Sequence, residues 1–134
     1  MKNKIIYGLG VDIIEVERIK SVIDKYKGFL SRVFTEEEIK YCESKKNPVI
    51  KYICYAQKFA AKEAVAKSLG VGFGKNLSFH EIAVLNLNSG KPVILISGRA
   101  EKYCDEKSIC EVEVSLSGTK DYAVAFSVAL LKEI

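Results

Sequence analysis

The sequence predicts an α+β fold, a mostly antiparallel sheet with helices packed on one face, in a single domain over residues 1–134. Three observations carry this. The element order reads β-α-α-α-β-β-α-β-β. Its last four strands form two pairs, each joined by a short turn-forming segment, which signals hairpins and hence antiparallel pairing. A chain of 134 residues, 49% apolar, supplies one core but not two, and is too apolar to be disordered.

The elements follow in order. Ile5–Ile14 (IIYGLGVDII) reads as a buried strand carrying one acidic residue, Asp12, in apolar surroundings near its end. Over Glu15–Lys27, Val16, Ile19, Ile23 and Tyr26 fall at helical spacing with Arg18, Lys20, Lys25 and Lys27 around them, an amphipathic helix with a basic face. Thr35-Glu36-Glu37-Glu38 matches a capping box, so a short helix starts there and ends before Asn47-Pro48. Val49–Leu69 has neither Gly nor Pro and is rich in alanine; it is a long central helix capped by Gly70. After the joint Gly70-Val71-Gly72-Phe73-Gly74 come strands at Ile82–Leu87 and Pro92–Ile96 around an Asn88-Ser89-Gly90 turn. A short helix at Gly98–Lys107 precedes a second hairpin, Cys110–Leu116 and Tyr122–Leu130, with Ser117–Asp121 between them.

Composition excludes several classes. No apolar run approaches the roughly 18–20 residues of a membrane span, and the N-terminal MKNKIIYGLG has no secretory h-region or cleavage site, so a soluble, unprocessed, cytoplasmic protein is expected. The four cysteines include no C-x-x-C pair and only His80 could join them, which argues against zinc and for reduced thiols. The formal charge is +4, and the excess is uneven: residues 1–67 hold 14 basic and 9 acidic side chains, residues 68–134 hold 7 and 8. Such a surface suits an acidic or phosphate-bearing partner. The chain has no basic-aromatic or zinc-finger signature of nucleic-acid binding.

Two features carry chemistry. The glycine-rich joint follows a helix, and Gly74-Lys75 is followed by Asn76, so neither a P-loop nor a dinucleotide fingerprint is present. On the central helix, Lys58 and Lys62 are one turn apart, as are Glu63 and Lys67, with alanines between them. That pattern reads as a surface ion-pair ladder or as an arrangement suited to a metal-bound polyphosphate. Asp12 reads as a helix cap or as a metal ligand. Mg²⁺ needs only one or two carboxylates, with waters and phosphate oxygens completing its shell, so Asp12 with Glu63 suffices if the fold brings them together.

Five segments, Gly8–Ile19 (GLGVDIIEVERI), Phe34–Glu38 (FTEEE), Lys58–Gly70 (KFAAKEAVAKSLG), Gly90–Pro92 (GKP) and Val114–Ala125 (VSLSGTKDYAVA), together resemble holo-acyl-carrier-protein synthases, the small bacterial phosphopantetheinyl transferases. The resemblance implies the 4′-phosphopantetheinyl transferase-like fold and transfer of 4′-phosphopantetheine from coenzyme A to a serine of apo acyl carrier protein. It also implies release of adenosine 3′,5′-bisphosphate, a requirement for Mg²⁺, and a homotrimer with active sites between subunits. By position, Asp12 and Glu63 look like the metal ligands, and Lys67 with Gly70 looks like part of the coenzyme A site. Lys58, Lys62, the Gly90-Lys91-Pro92 turn and Ser117-Gly118-Thr119 would line phosphates or adenine. Arg18 and the basic face after it look like the dock for an acidic carrier protein.

Two positions depart from the family pattern: Lys58 stands where Arg is common, and Gly118 where His is usual. Lysine lacks arginine's bidentate fork. The Gly118 change reads as an altered coenzyme A contact, or as a glycine required by a positive φ. The implied base is Glu63 itself or, preferably, a water that Glu63 orients, with Lys67 beside it in the catalytic set. The competing function from another class is a non-enzymatic protein- or nucleic-acid-binding module using the basic helix.

Overall fold

A computed structural model describes residues 5–74 and 77–133. The MKNK start and the Lys75-Asn76 pair used above lie outside the described residues.

Strand β1 (Ile6–Glu15) alternates its side chains between two environments. Gly8, Gly10, Asp12 and Ile14 face inward, while Leu9, Val11 and Ile13 are more than half exposed. The expectation of a buried strand is therefore corrected: β1 is the edge of a three-stranded antiparallel sheet of order β1-β5-β4 and has one covered face. β4 (Ile109–Gly118) and β5 (Tyr122–Leu131) form the closing hairpin. Ser117 and Gly118 belong to β4, not to the turn as expected. The turn tightens to residues 119–121 because the Thr119 hydroxyl accepts from the amides of Asp121 and Tyr122. β2 (Ile82–Asn86) and β3 (Pro92–Ile96) make a separate two-stranded sheet, so the five strands form two antiparallel sheets rather than one.

Helix α4 (Pro48–Leu69) crosses the inner face of β1 and β5. A Cβ on Gly8 would collide with the Ser68 carbonyl oxygen, and one on Gly10 with that of Ala64. Ala60, Ala61, Ala64 and Ala125 form the small-residue core of this contact, and the hydroxyls of Ser68 and Ser127 meet at 3.0 Å. Small side chains on both surfaces set the close approach, which the alanine content of α4 and the GLG of β1 encode. Gly10→Ala should cost about 1–3 kcal/mol through overpacking, read as a lower denaturant midpoint with an unchanged slope. An unchanged midpoint would contradict the close packing.

The other helices frame this contact. α1 (Val16–Lys25) follows β1 directly, with Glu15 at its N-cap and no side-chain cap, so Asp12 does not cap it. Tyr26 lies beyond its end and is exposed, outside the apolar face expected for it. α2 (Phe29–Val33) was not anticipated; five residues carry too little periodicity, and it begins after Gly28 at φ 91°. α3 (Glu36–Glu43) has the expected capping box. Asn47 and Pro48 start α4, and Gly70 ends it in the left-handed conformation at φ 77°. α5 (Gly98–Glu106) packs beside β4. The expectation of four thiols is also corrected: α3 and α4 bring Cys42 and Cys54 to a Cα separation of 5.5 Å and they form a disulfide, while Cys104 and Cys110 are free.

Candidate active site

At about 100° of rotation per residue, a helix separates side chains that the sequence lists together. Lys58 and Lys62 share one side of α4 and reach β2. Glu63 and Lys67 share another and reach β1. The two pairs build two different places.

On the β1 side, close packing over Gly8 and Gly10 brings α4 alongside Asp12. Lys67 Nζ donates to the Val11 carbonyl oxygen at 2.9 Å and lies 3.4 Å from Asp12 Oδ1. Glu63 has its carboxyl pushed above the usual carboxylate range, first by burial and then by the negative charge of Asp12, with Lys67 offsetting part of this. Asp12 and Glu63 line one cleft of about 390 Å³, with Arg18 at its edge and Ile19, Phe29 and Phe59 as apolar walls. Among the described residues no cluster of three or more His, Cys, Asp or Glu exists to form a protein cage for a metal. Two adjacent carboxylate donors with incomplete neutralisation fit Mg²⁺, which takes hard oxygen ligands and keeps room for waters and substrate phosphates.

On the β2 side, Lys58 Nζ donates to the Val84 carbonyl and to Asn86 Oδ1, both at 2.6 Å. Two ammonium groups approach the Tyr41 ring, Lys58 at 4.8 Å and Lys45 at 4.4 Å from its centroid. Burial lowers the Lys58 ammonium to about 8, with Glu38 opposing the shift and Lys62 and Lys45 adding to it. A second cleft, about 550 Å³, is lined by Lys45, Gln57, Lys58, Asn86 and the Gly90-Lys91-Pro92 turn. Tyr41, Lys45, Gln57 and Asn86 were missed in the sequence, where nothing sets them apart from ordinary surface residues.

Lys62 is a different case. Its side chain is fully enclosed, 2.9 Å from Glu38 Oε1, and donates to the carbonyls of Phe79 and Ile82. Glu38 also accepts from the Thr35 and Val84 amides. The expected phosphate contact by Lys62 is therefore corrected: every direction its ammonium faces is taken, and the pair ties α3, α4 and β2 together.

Gly70, expected beside Lys67, caps α4 one turn beyond it, its amide donating to the Lys67 carbonyl at 3.0 Å; it lies roughly 18 Å along the axis from Lys58 at 1.5 Å per residue. Ser117 and Thr119 are exposed at the hairpin end. Gly118 is not at positive φ, which removes the conformational reason for a glycine. A Cβ there would lie 2.7 Å from Gln57 Nε2 and 2.8 Å from Ile53 Cγ2, so these side-chain ends would have to shift.

A carboxylate pair set at the meeting of a strand and a helix, with a lysine-lined cleft on the same α+β frame, has the chemistry suited to a phosphate-bearing substrate. The family described as the 4′-phosphopantetheinyl transferase superfamily matches residues 8–127, and the chain belongs to it. That membership sets aside the non-enzymatic binding module. A curated relative from Ruminiclostridium cellulolyticum, named holo-acyl-carrier-protein synthase, is 48% identical over 92% of this chain and 91% of its own length. One of the same name from a Geobacillus species is 42% identical over 90% and 92%. The crystal structure of holo-acyl-carrier-protein synthase from Neisseria meningitidis superposes with a TM-score of 0.81 at 35% identity, covering 92% of this chain and 98% of that one. The Bacillus anthracis synthase, solved in complex with CoA (3′,5′-ADP), superposes at 0.79 with 36% identity, covering 96% and 100%.

Proposed function

We propose that this chain transfers 4′-phosphopantetheine from coenzyme A to a serine hydroxyl of an apo acyl carrier protein and releases adenosine 3′,5′-bisphosphate. The serine oxygen forms a bond to the β-phosphorus as the pyrophosphate P–O bond breaks. The observation that carries this reading is the Asp12–Glu63 pair, held in an open cleft with its charge only partly neutralised. Relatives solved with coenzyme A support the substrate.

Asp12 and Glu63 would hold Mg²⁺, which when bound supplies positive charge to phosphate oxygens. Lys67 orients Asp12 from its anchor on the Val11 carbonyl. Glu63, its proton affinity raised by burial, takes the serine proton directly or through a water that it orients. Lys45, Lys58 and Lys91 attract the phosphates of the nucleotide half. Arg18, exposed at the edge of the carboxylate cleft, and the basic face of α1 meet the acidic carrier.

The carboxylates and the lysine cleft lie on different sides of α4, so the reading assigns one coenzyme A to the carboxylates of one copy and the lysines of a neighbour. Exposed Leu9, Val11 and Ile13 of β1 with Phe126 of β5 support a homotrimer covering that sheet face. Residues 1–134 are read as one domain, acting in the cytoplasm; no helix among the described residues is long and apolar enough to cross a membrane.

Mass spectrometry of apo carrier protein incubated with this chain, coenzyme A and Mg²⁺ tests the reaction. One phosphopantetheine mass increment is expected, and none on a carrier lacking the acceptor serine; an unmodified carrier at full turnover time would refute it.

Two further results are expected. Lys58 loses its proton as pH rises through about 8 in the free protein, and anionic phosphates favour its charged form. The KM for coenzyme A should therefore climb above that pH, and Lys58→Arg, which stays charged, should flatten the rise. Arg18→Glu should raise the KM for carrier protein far more than that for coenzyme A, and high salt should do the same to the unaltered chain, because steering fields are screened within about 3 Å at 1 M salt. Equal shifts in both constants would remove α1 as the dock.

A further inference from the structure

Gln57 is half-buried on α4, one residue before Lys58, and it lines the lysine cleft. Several polar groups around it are engaged: Lys58 with Val84 and Asn86, Asn86 with the Gly90 carbonyl, and Lys45 with the Tyr41 ring. The Gln57 amide makes no hydrogen bond among the described residues, although it is not sealed from solvent. Its position is not free, however. An ideal Cβ on Gly118 would lie 2.7 Å from its Nε2 and 3.1 Å from its Cδ. Any side chain at position 118 would project into the space that the amide occupies. Gly118, an extended strand residue with no positive φ, thus leaves room for Gln57 from the facing helix.

We propose that Gln57 is a specificity-determining residue for the nucleotide half of the substrate. Its amide hydrogen-bonds the adenosine 3′,5′-bisphosphate portion of coenzyme A in space that Gly118 leaves open. This rests on the coenzyme A reading above. The nucleotide half is assigned because Gln57 sits among the lysines, where the more highly charged end of the ligand goes. An amide offers both donor and acceptor, which suits a nucleobase edge or a phosphate oxygen. A neutral hydrogen bond of this kind changes affinity without adding charge, so its contribution should be insensitive to salt.

The test is calorimetric titration of coenzyme A and of adenosine 3′,5′-bisphosphate into the intact protein and its variants, with KM for carrier protein measured beside it. Gln57→Ala should weaken both nucleotides about fivefold, the worth of one neutral hydrogen bond, and leave the KM for carrier protein unchanged. Gln57→Glu should weaken them further, since it sets a negative charge against phosphates. Gly118→Ala should weaken binding clearly in the presence of Gln57 and much less in the Gln57→Ala background, where only the contact with Ile53 remains, the non-additivity expected of two groups competing for one volume. Thermal melts of each variant separate these effects from loss of fold. Full nucleotide affinity in Gln57→Ala and Gln57→Glu would overturn the proposal while leaving the coenzyme A reading in place. Additive losses for positions 57 and 118 would overturn it as well. Failure of the unaltered chain to bind coenzyme A would overturn both.

Discussion

Asp12→Ala and Glu63→Ala are each expected to abolish phosphopantetheine transfer while leaving the fold intact, because each removes one of the two carboxylates proposed to hold Mg²⁺. Near-normal turnover of either variant at low Mg²⁺ would refute the assignment. Glu63→Gln carries a second readout, in stability. The Glu63 carboxyl is held above its ordinary value by burial and by Asp12, so the folded chain binds that proton more tightly than the unfolded one. Stability from such a group is present below the unfolded value and lost as pH rises through the folded one. At neutral pH the ionised Glu63 therefore weighs against the fold, and Glu63→Gln should melt higher than the unaltered chain. The gain should vanish in acid, below the carboxylate range. Added Mg²⁺ should raise the melting temperature of the unaltered chain and not that of the variant. A variant that melts lower at neutral pH, or that gains equally from Mg²⁺, would contradict the electrostatic account.

Lys62→Met should unfold or nearly unfold the protein. It leaves the Glu38 carboxylate enclosed with its cation removed, a change that costs about 3–5 kcal/mol out of a total stability of about 5–15 kcal/mol for a domain. Glu38→Gln/Lys62→Met should recover much of the loss, since the charge goes with its partner. If Lys62 instead served as a phosphate ligand, Lys62→Met would raise the KM for coenzyme A at an unchanged melting temperature. Denaturation and steady-state kinetics on the same preparation distinguish the two outcomes.

Local chemistry made part of this protein legible in its sequence. The capping box at Thr35, the Gly70 end of α4 and the turn between β2 and β3 are short-range interactions, and they form where the residues predict. Together they define the α+β class. The motifs around Asp12 and Glu63 pointed to a carboxylate pair because Mg²⁺ asks so little of the protein. The pair could be named, but its meeting could not. That depends on Gly8 and Gly10 letting α4 lie against β1, a contact between residues more than fifty positions apart.

The lysines show the same limit from the other side. Lys58, Lys62 and Lys67 look alike in the sequence, yet one lines a cleft, one is enclosed with Glu38, and one braces Asp12. The Cys42–Cys54 bond, the split into two sheets and the approach of Gln57 to Gly118 were equally invisible. A sequence specifies which groups a helix carries and, through its period, how they divide around the axis. Which group is desolvated, which is paired and which meets a ligand depends on what packs against each side, and only the tertiary structure brings those surfaces together.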